Sequence, residues 1–97
     1  MVKHICVWKI KEEHNNTATK LAMKKALEVL PGMIPGLLEL KVQIETLSSA
    51  DADVMLYSVL ESEEALKGYA IHPEHVRVAD TFVRPFIEKG LTMDFEG

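Results

Sequence analysis

The clearest pattern along the chain is an alternation of apolar and polar residues with the period of two that β-strands produce. Four stretches have this pattern or are rich in β-branched, aromatic and aliphatic residues. The predicted strands are Val2–Ile10, Leu37–Glu45, Asp53–Leu60 and Gly90–Phe95. The second strand alternates most cleanly, which is typical of a half-buried strand at the edge of a sheet. Its predicted inward positions are Leu38, Leu40, Val42 and Ile44.

A first helix is predicted between the first two strands, from the helical spacing of its apolar residues. Asn16 or Thr17 can cap its beginning by accepting a hydrogen bond from a free backbone N–H. The helix is expected to run to about Leu30, because Pro31 and Gly32 stop it. Its predicted apolar side consists of Leu21, Met23, Ala26, Leu27 and Leu30.

A second helix is predicted after the third strand, with Ser62 as its N-cap. Pro73 cannot lie inside a helix without loss of a hydrogen bond, so the helix is expected to break near His72 and resume to about Phe86. The order β-α-β-β-α-β predicts one α+β domain over residues 1–97, with a ferredoxin-like four-stranded antiparallel sheet. In this topology strands one and three are central.

The two central strands are apolar on both faces, and two helices can cover only one face of the sheet. By parity, the other face carries Ile5, Val7, Met55, Tyr57 and Val59. An exposed apolar patch of this kind is large for a monomer and marks an interaction surface. We therefore expect a homodimer in which two sheets pack together as a dimeric α+β barrel.

Composition narrows the range of partners. The formal net charge is −4, which opposes non-specific binding to nucleic acid and gives no attraction to an anionic membrane. The single cysteine excludes an intrachain disulfide and multi-cysteine zinc sites. Neither a signal peptide nor a membrane span is apparent in the pattern, so we expect a cytoplasmic protein. No feature calls for a cofactor or a metal.

Candidate chemistry is concentrated in the segment from Tyr69 to His75. If Pro73 is the first residue of a new helical segment, His75 lies in its first turn, where the helix dipole disfavours an imidazolium. His75 is then expected to be neutral near pH 7 and able to accept a proton. Tyr69 can offer a phenol donor to a carbonyl group or to His75. Such a pair suits proton abstraction beside a carbonyl.

A third candidate is His4, which enters the same space if its strand face meets the helices. The predicted lining of this apolar slot is Cys6, Trp8, Leu56 and Val78. His4 has the alternative role of a hydrogen-bonded core histidine, and His72 is best explained as a helix cap. His72 and His75 have no third ligand at a convincing spacing. Cys6 is not expected to act as a nucleophile, because nothing close in sequence activates it.

Several of these segments resemble the stress-responsive α/β-barrel (Dabb) family. The matching pieces are Val2–Ile5, Ile34–Gly36, Leu60–Ser62 and Tyr69–His75 with its His-Pro-x-His core. The resemblance spans nearly the whole chain and implies a ferredoxin-like unit that dimerises into an α+β barrel.

The resemblance also has an implication for activity. One plant member, olivetolic acid cyclase, closes a polyketide by aldol condensation with a histidine base, a tyrosine and a strand-one histidine, which match His75, Tyr69 and His4. Here helix one has no aromatic residue and Trp8 is bulky, so a long alkyl tail is not expected to fit. The leading hypothesis is a small pocket for a carbonyl-bearing or aromatic metabolite. The alternatives are a non-catalytic stress-response or assembly protein and a cofactor-free enzyme similar to quinol monooxygenases.

Overall fold

The computed structural model describes all 97 residues as one α+β unit with a single four-stranded antiparallel sheet. The elements in chain order are β1 (Val2–Ile10), α1 (Thr17–Glu28), β2 (Leu37–Gln43), β3 (Val54–Leu60), α2 (Glu63–Ile71), α3 (Pro73–Val78) and β4 (Ile87–Glu96). Short 3-10 turns follow β1 and α1, and a π-helical turn follows α3. The ferredoxin-like order predicted from the sequence is therefore confirmed.

The strand order β2-β3-β1-β4 places β1 and β3 in the middle of the sheet, as their two apolar faces predict. β4 pairs with β1 along almost its whole length, with Cys6 opposite Thr92 and His4 opposite Asp94. β4 begins three residues before the predicted Gly90, at Ile87. This pairing joins the two ends of the chain, and it is the contact on which the site depends.

The helices pack on one face of the sheet, and α1 supplies much of the core. Met23 and Leu27 are buried with 0% and 2% of their surface exposed, as predicted. Leu21 is 38% exposed, so its assignment to the apolar side is wrong. Residues two apart on a helix point in nearly opposite directions, and Leu21 cannot share a face with Met23.

β2 differs from its prediction at its beginning and at its end. A bulge between Leu37 and Glu39 turns Leu37 inward, and Leu38 is 46% exposed instead of buried. The extra residue at a bulge shifts all earlier positions to the other face. Leu40 and Val42 are buried as predicted. The strand ends at Gln43, and Ile44 is partly buried against the core.

The open face of the sheet is broader and more apolar than the sequence predicts. The expected residues Ile5, Val7, Met55 and Tyr57 keep part of their surface exposed, whereas Val59 is 8% exposed. β4 adds an exposed row beside them, because its apolar residues pair with the open-face positions of β1. This row consists of Leu91, Met93 and Phe95. No helix of the fold has the length and apolar character needed to cross a membrane.

Candidate functional site

His75 is positioned by the break between α2 and α3. Pro73 is the first residue of α3, and the chain turns at His72, whose Nδ1 accepts a hydrogen bond from the Glu74 backbone N–H at 3.1 Å. This turn brings the His75 ring back over α2, where its Nδ1 lies 3.1 Å from the Ala70 carbonyl oxygen. Because a carbonyl oxygen only accepts, Nδ1 carries the proton and donates it. Nε2 of neutral His75 is then left with a lone pair that can take a proton.

Tyr69 lies between two histidines. Its ring centroid is 4.2 Å from that of His75 and 5.8 Å from that of His4, which meets it edge-on. Tyr69 is 2% exposed and belongs to the hydrophobic core. The three predicted catalytic residues, which lie on β1, α2 and α3, are therefore brought together in one row.

The two histidines of this row have pKa values displaced in opposite directions. Burial lowers the pKa of His75, and the charges of Arg84 and His4 lower it further, against the opposing hydrogen bond to Ala70. The direction agrees with the sequence-based expectation. The main cause is loss of hydration rather than the helix dipole on which that expectation rested.

His4 is held as a cation by partners on both sides of its ring. Nδ1 is hydrogen-bonded to the Asp94 carboxylate, and Nε2 lies 3.3 Å from Cys6 Sγ. Burial opposes the charge on His4, but the hydrogen bonds and charges of Cys6 and Asp94 outweigh it and raise its pKa to about 9. His4 is thus an imidazolium at neutral pH, beside a neutral His75. Pairs of groups displaced in this way are typical of acid–base sites.

Asp94 is the site residue that the sequence reasoning missed. It lies 90 residues from His4 in the chain and directly opposite it in the sheet. Thr92 was also missed, and its Oγ1 lies 3.6 Å from Cys6 Sγ. The available signal was the parity of β4, since Thr92 and Asp94 alternate with apolar neighbours and so share one face.

The residues predicted to line the slot lie around this row but are closely packed. Cys6 is 7% exposed, Leu56 is 1% exposed and Val78 is 0% exposed. Trp8 is partly buried and packs across Gly90 of β4, where a Cβ atom would lie 2.9 Å from the indole. An open cleft of about 300 Å³ lies next to the row, between the start of α2 and the ends of β1 and β4. Asp94, Val2 and Leu66 are among its lining residues.

His72 has the capping role that the sequence favours, since its Nδ1 is occupied by the Glu74 N–H. Across the chain, no group of three or more His, Cys, Asp and Glu residues has a geometry that could hold a metal ion. The side chains of the row and its neighbour Cys6 supply an imidazole base, a phenol, an imidazolium and a thiol.

Comparison with known proteins gives matches over almost the full length. Residues 2–97 match the family described as the Stress responsive A/B Barrel Domain. A stress-response A/B barrel domain-containing protein from Arabidopsis thaliana is 31% identical over 96 residues, which are 98% of this chain. These residues are 36% of that relative, so the chain spans about a third of its length.

Solved structures share the fold. A dimeric protein of unknown function with a ferredoxin-like fold from Bacteroides fragilis is 27% identical, with a TM-score of 0.89 over 99% of this chain and 95% of that one. A hydroxynitrile lyase from Passiflora edulis is 18% identical, with a TM-score of 0.82 over 97% of this chain and 90% of that one. The second likeness concerns the fold alone.

Proposed function

Because this chain belongs to the stress-responsive A/B barrel domain family, we propose that it works as a homodimer with one small pocket per protomer. Each pocket binds a carbonyl-bearing or aromatic metabolite and transfers a proton next to its carbonyl group. The observation that carries the proposal is the row of His4, Tyr69 and His75, in which the two histidines have oppositely displaced pKa values.

His75 is the proton acceptor in this proposal. Its Nδ1–H is engaged with the Ala70 carbonyl, which fixes the ring and leaves Nε2 for a substrate proton. Its lowered pKa keeps a large share of the ring neutral at pH 7. A base held in the right protonation state contributes about 10²–10⁴-fold to such a proton transfer.

Tyr69 and His4 stabilise the oxygen that gains negative charge when the proton leaves. The Tyr69 phenol is a hydrogen-bond donor, and burial raises its pKa, so it stays protonated at neutral pH. The His4 imidazolium lies edge-on to the same ring and supplies a positive charge nearby. Donors aimed at a developing oxyanion are the main source of rate enhancement in many enzymes of this kind.

Cys6, Trp8, Leu56 and Val78 form the floor of the pocket in this proposal. Their close packing favours a small ligand, and the cleft beside Asp94 offers an approach to the row. We place the protein in the cytoplasm, where a free thiol such as that of Cys6 stays reduced.

The homodimer follows from the open face of the sheet. Leu91 and Met93 expose 69% and 65% of their surface there, next to the partly exposed Ile5 and Val7. The structurally similar protein from Bacteroides fragilis is described as dimeric. Burial of apolar surface is worth roughly 25 cal/mol per Å², so sheet-to-sheet packing of two copies is strongly favoured.

The test is exchange of α-protons in acetophenone, a small aromatic ketone, followed by proton NMR in heavy water. We expect the protein to accelerate the loss of the methyl signal above the buffer rate. His75→Gln should lose about 10²-fold or more of this acceleration, because no group replaces the base. Tyr69→Phe should lose about tenfold or more, because the oxyanion keeps only one donor.

His14→Gln is the matched control, since His14 packs against Phe86 outside the row. This variant should exchange the α-protons of acetophenone at the wild-type rate. If the wild-type protein gives only the buffer rate, or if His14→Gln and His75→Gln lose the same activity, the proton-transfer proposal fails.

A non-catalytic role in stress response or assembly is the second candidate. The observation that favours it is the full burial of Leu56 and Val78, which leaves no open volume at those two side chains within one protomer. In this case Tyr69 and His75 stabilise the break between α2 and α3, and their removal should cost stability without any measurable exchange activity.

A further inference from the structure

The Cys6 thiol has no part in the proton transfer, yet its surroundings are those of a nucleophile. Cys6 Sγ lies 3.3 Å from His4 Nε2, and the other ring nitrogen of His4 is bonded to Asp94. A thiol next to a histidinium that a carboxylate holds in place is an arrangement found around activated cysteine nucleophiles. The sequence could not reveal it, because Asp94 reaches the pair only through the β1–β4 pairing.

A second observation is independent of these hydrogen bonds. Tyr69 is 98% buried, but its hydroxyl forms no hydrogen bond within the chain. The hydroxyl is not sealed off either, since every fully enclosed polar side-chain atom has a partner. Burial raises the pKa of the phenol, and the charge of an ionised Cys6 raises it further. A phenol hydroxyl that has no partner in the chain and still reaches open space is available to donate to a small molecule at the site.

We propose that Cys6 adds covalently to small α,β-unsaturated carbonyl compounds, with the His4 imidazolium as the partner that stabilises its thiolate, Asp94 as the positioning residue and Tyr69 as the donor to the carbonyl oxygen. The thiol is nearly buried, at 7% exposed, which restricts the reagent to a small molecule. The cleft that Asp94 lines is an open space beside the His4–Asp94 pair from which such a molecule can approach.

The step balances with water as the proton carrier. Because His4 is already an imidazolium, the Cys6 thiol gives its proton to solvent water, and the His4 Nε2–H donates a hydrogen bond to the thiolate. The thiolate forms an S–C bond with the β-carbon while the C=C electron pair moves to the carbonyl oxygen. Tyr69 donates a hydrogen bond to the resulting enolate oxygen. The His4 imidazolium then gives its Nε2 proton to the α-carbon and regains one from water, which leaves a saturated thioether and needs no oxidant.

The test compares two reagents of similar size by intact-protein mass spectrometry at pH 7. Methyl vinyl ketone reacts through an enolate, whereas iodoacetamide alkylates a thiol by displacement and develops no charge on its carbonyl oxygen. We expect the protein to react with methyl vinyl ketone at least tenfold faster than glutathione does, with one adduct that Cys6→Ser abolishes. A protein rate at or below that of glutathione overturns the proposal, because it is the result expected of an inert buried thiol.

The variants separate the roles of the three partners. Tyr69→Phe should slow adduct formation with methyl vinyl ketone about tenfold and leave the rate with iodoacetamide within twofold of wild type. Asp94→Asn should slow adduct formation with both reagents about tenfold, and Asp94→Glu should restore both rates. Tyr57→Phe is the matched control, because it removes the only other phenol from the opposite face of the sheet. Equal slowing of both reagents by Tyr69→Phe overturns the role of the phenol.

This inference shares His4 and Tyr69 with the proposed function, and the two experiments distinguish their failures. Rapid thiol addition without acetophenone exchange would overturn the proton-transfer function alone. Exchange without rapid thiol addition would overturn the inference about Cys6 alone. An unfolded Asp94→Asn would react with both reagents at the rates of glutathione, and circular dichroism identifies that case.

Discussion

Two imidazoles of one small site end up in different protonation states because their partners differ in charge. His4 faces a carboxylate and a thiol, and its pKa is raised to about 9. His75 faces a backbone carbonyl and the charges of Arg84 and His4, and its pKa is lowered. One residue type thus supplies a cation on one side of Tyr69 and a base on the other.

Removal of the Tyr69 hydroxyl should change stability little. Because this hydroxyl has no partner in the chain, we expect Tyr69→Phe to change the free energy of unfolding by less than about 0.5 kcal/mol, and in the stabilising direction. Urea denaturation followed by fluorescence measures this, with Tyr57→Phe as the control. A loss of more than about 1 kcal/mol would show that the phenol has a structural hydrogen bond and would favour the non-catalytic alternative.

Asp94 should control the pH dependence of stability through His4. Because folding raises the pKa of His4 from 6.5 to about 9, the imidazolium contributes stability that is fully present below pH 6.5. This contribution is lost as the pH rises through about 9. We expect Asp94→Asn to lower the pKa of His4 in an NMR titration and to reduce the decline in unfolding free energy over this range.

The matched control for this titration is Asp51→Asn, the same change at an exposed loop position. It should leave both the pKa of His4 and the decline of stability unchanged. If the pKa of His4 is the same in Asp94→Asn as in the wild-type protein, the His4–Asp94 ion pair is not what keeps His4 protonated.

At the scale of elements, the interruption of the second predicted helix creates the site. A continuous helix would carry His75 away from Tyr69, because residues six apart do not share a helix face. Pro73 ends α2 and begins α3 at a new angle, and the His72 side chain caps the new segment. The break thereby places the His75 ring at 4.2 Å from that of Tyr69.

The start of β2 depends on a close approach to α2 at Gly36. This residue has a φ angle of +80°, and a Cβ atom on it would lie 2.6 Å from the Cβ of Ala65. We expect Gly36→Ala to destabilise the protein by about 2 kcal/mol or more, from backbone strain and the clash together. Thermal and urea denaturation measure the loss.

Gly32→Ala is the control for that substitution, since nothing lies within 4 Å of the added Cβ and the φ angle of Gly32 is not positive. Its effect should stay within about 0.5 kcal/mol of the wild-type stability. Equal effects of the two substitutions would contradict the packing of β2 against α2.

For the whole molecule, the decisive feature is a sheet with helices on one face only. The uncovered face carries the exposed apolar residues of β4 (Leu91, Met93 and Phe95) beside the apolar residues of the two central strands. Surfaces of this size and composition are interaction sites in soluble proteins. In the proposed homodimer, a second copy covers the face with the same residues on both sides, as two-fold symmetry requires.

Light scattering tests the dimer directly. We expect a mass of twice 10.9 kDa for the wild-type chain and 10.9 kDa for Met93→Glu, because a buried carboxylate in the interface has no partner. Ile71→Glu is the control, since Ile71 is 80% exposed at the end of α2 and should leave the mass unchanged. A wild-type mass of 10.9 kDa at micromolar concentration would rule out the homodimer.

The sequence by itself determined the order of the elements, the central position of β1 and β3, and the break at Pro73. These features depend on local periodicity and on backbone restrictions of single residues, which are properties of short segments. It also indicated Tyr69 and His75, because the family resemblance and the helix break both pointed to their segment, and it indicated His4 through the parity of strand one. The inward assignment of Leu38 failed because the bulge between Leu37 and Glu39 reverses the parity of the strand, and a bulge depends on pairing with the neighbouring strand.

Only the tertiary structure decided which groups surround the histidines. Asp94 meets His4 through pairing between the first and last strands, and no pattern within either strand fixes that register. The charge of His4 and the setting of Cys6 follow from this one pairing. Protonation states depend on desolvation and on charges brought close in space, and both exist only once the chain is folded.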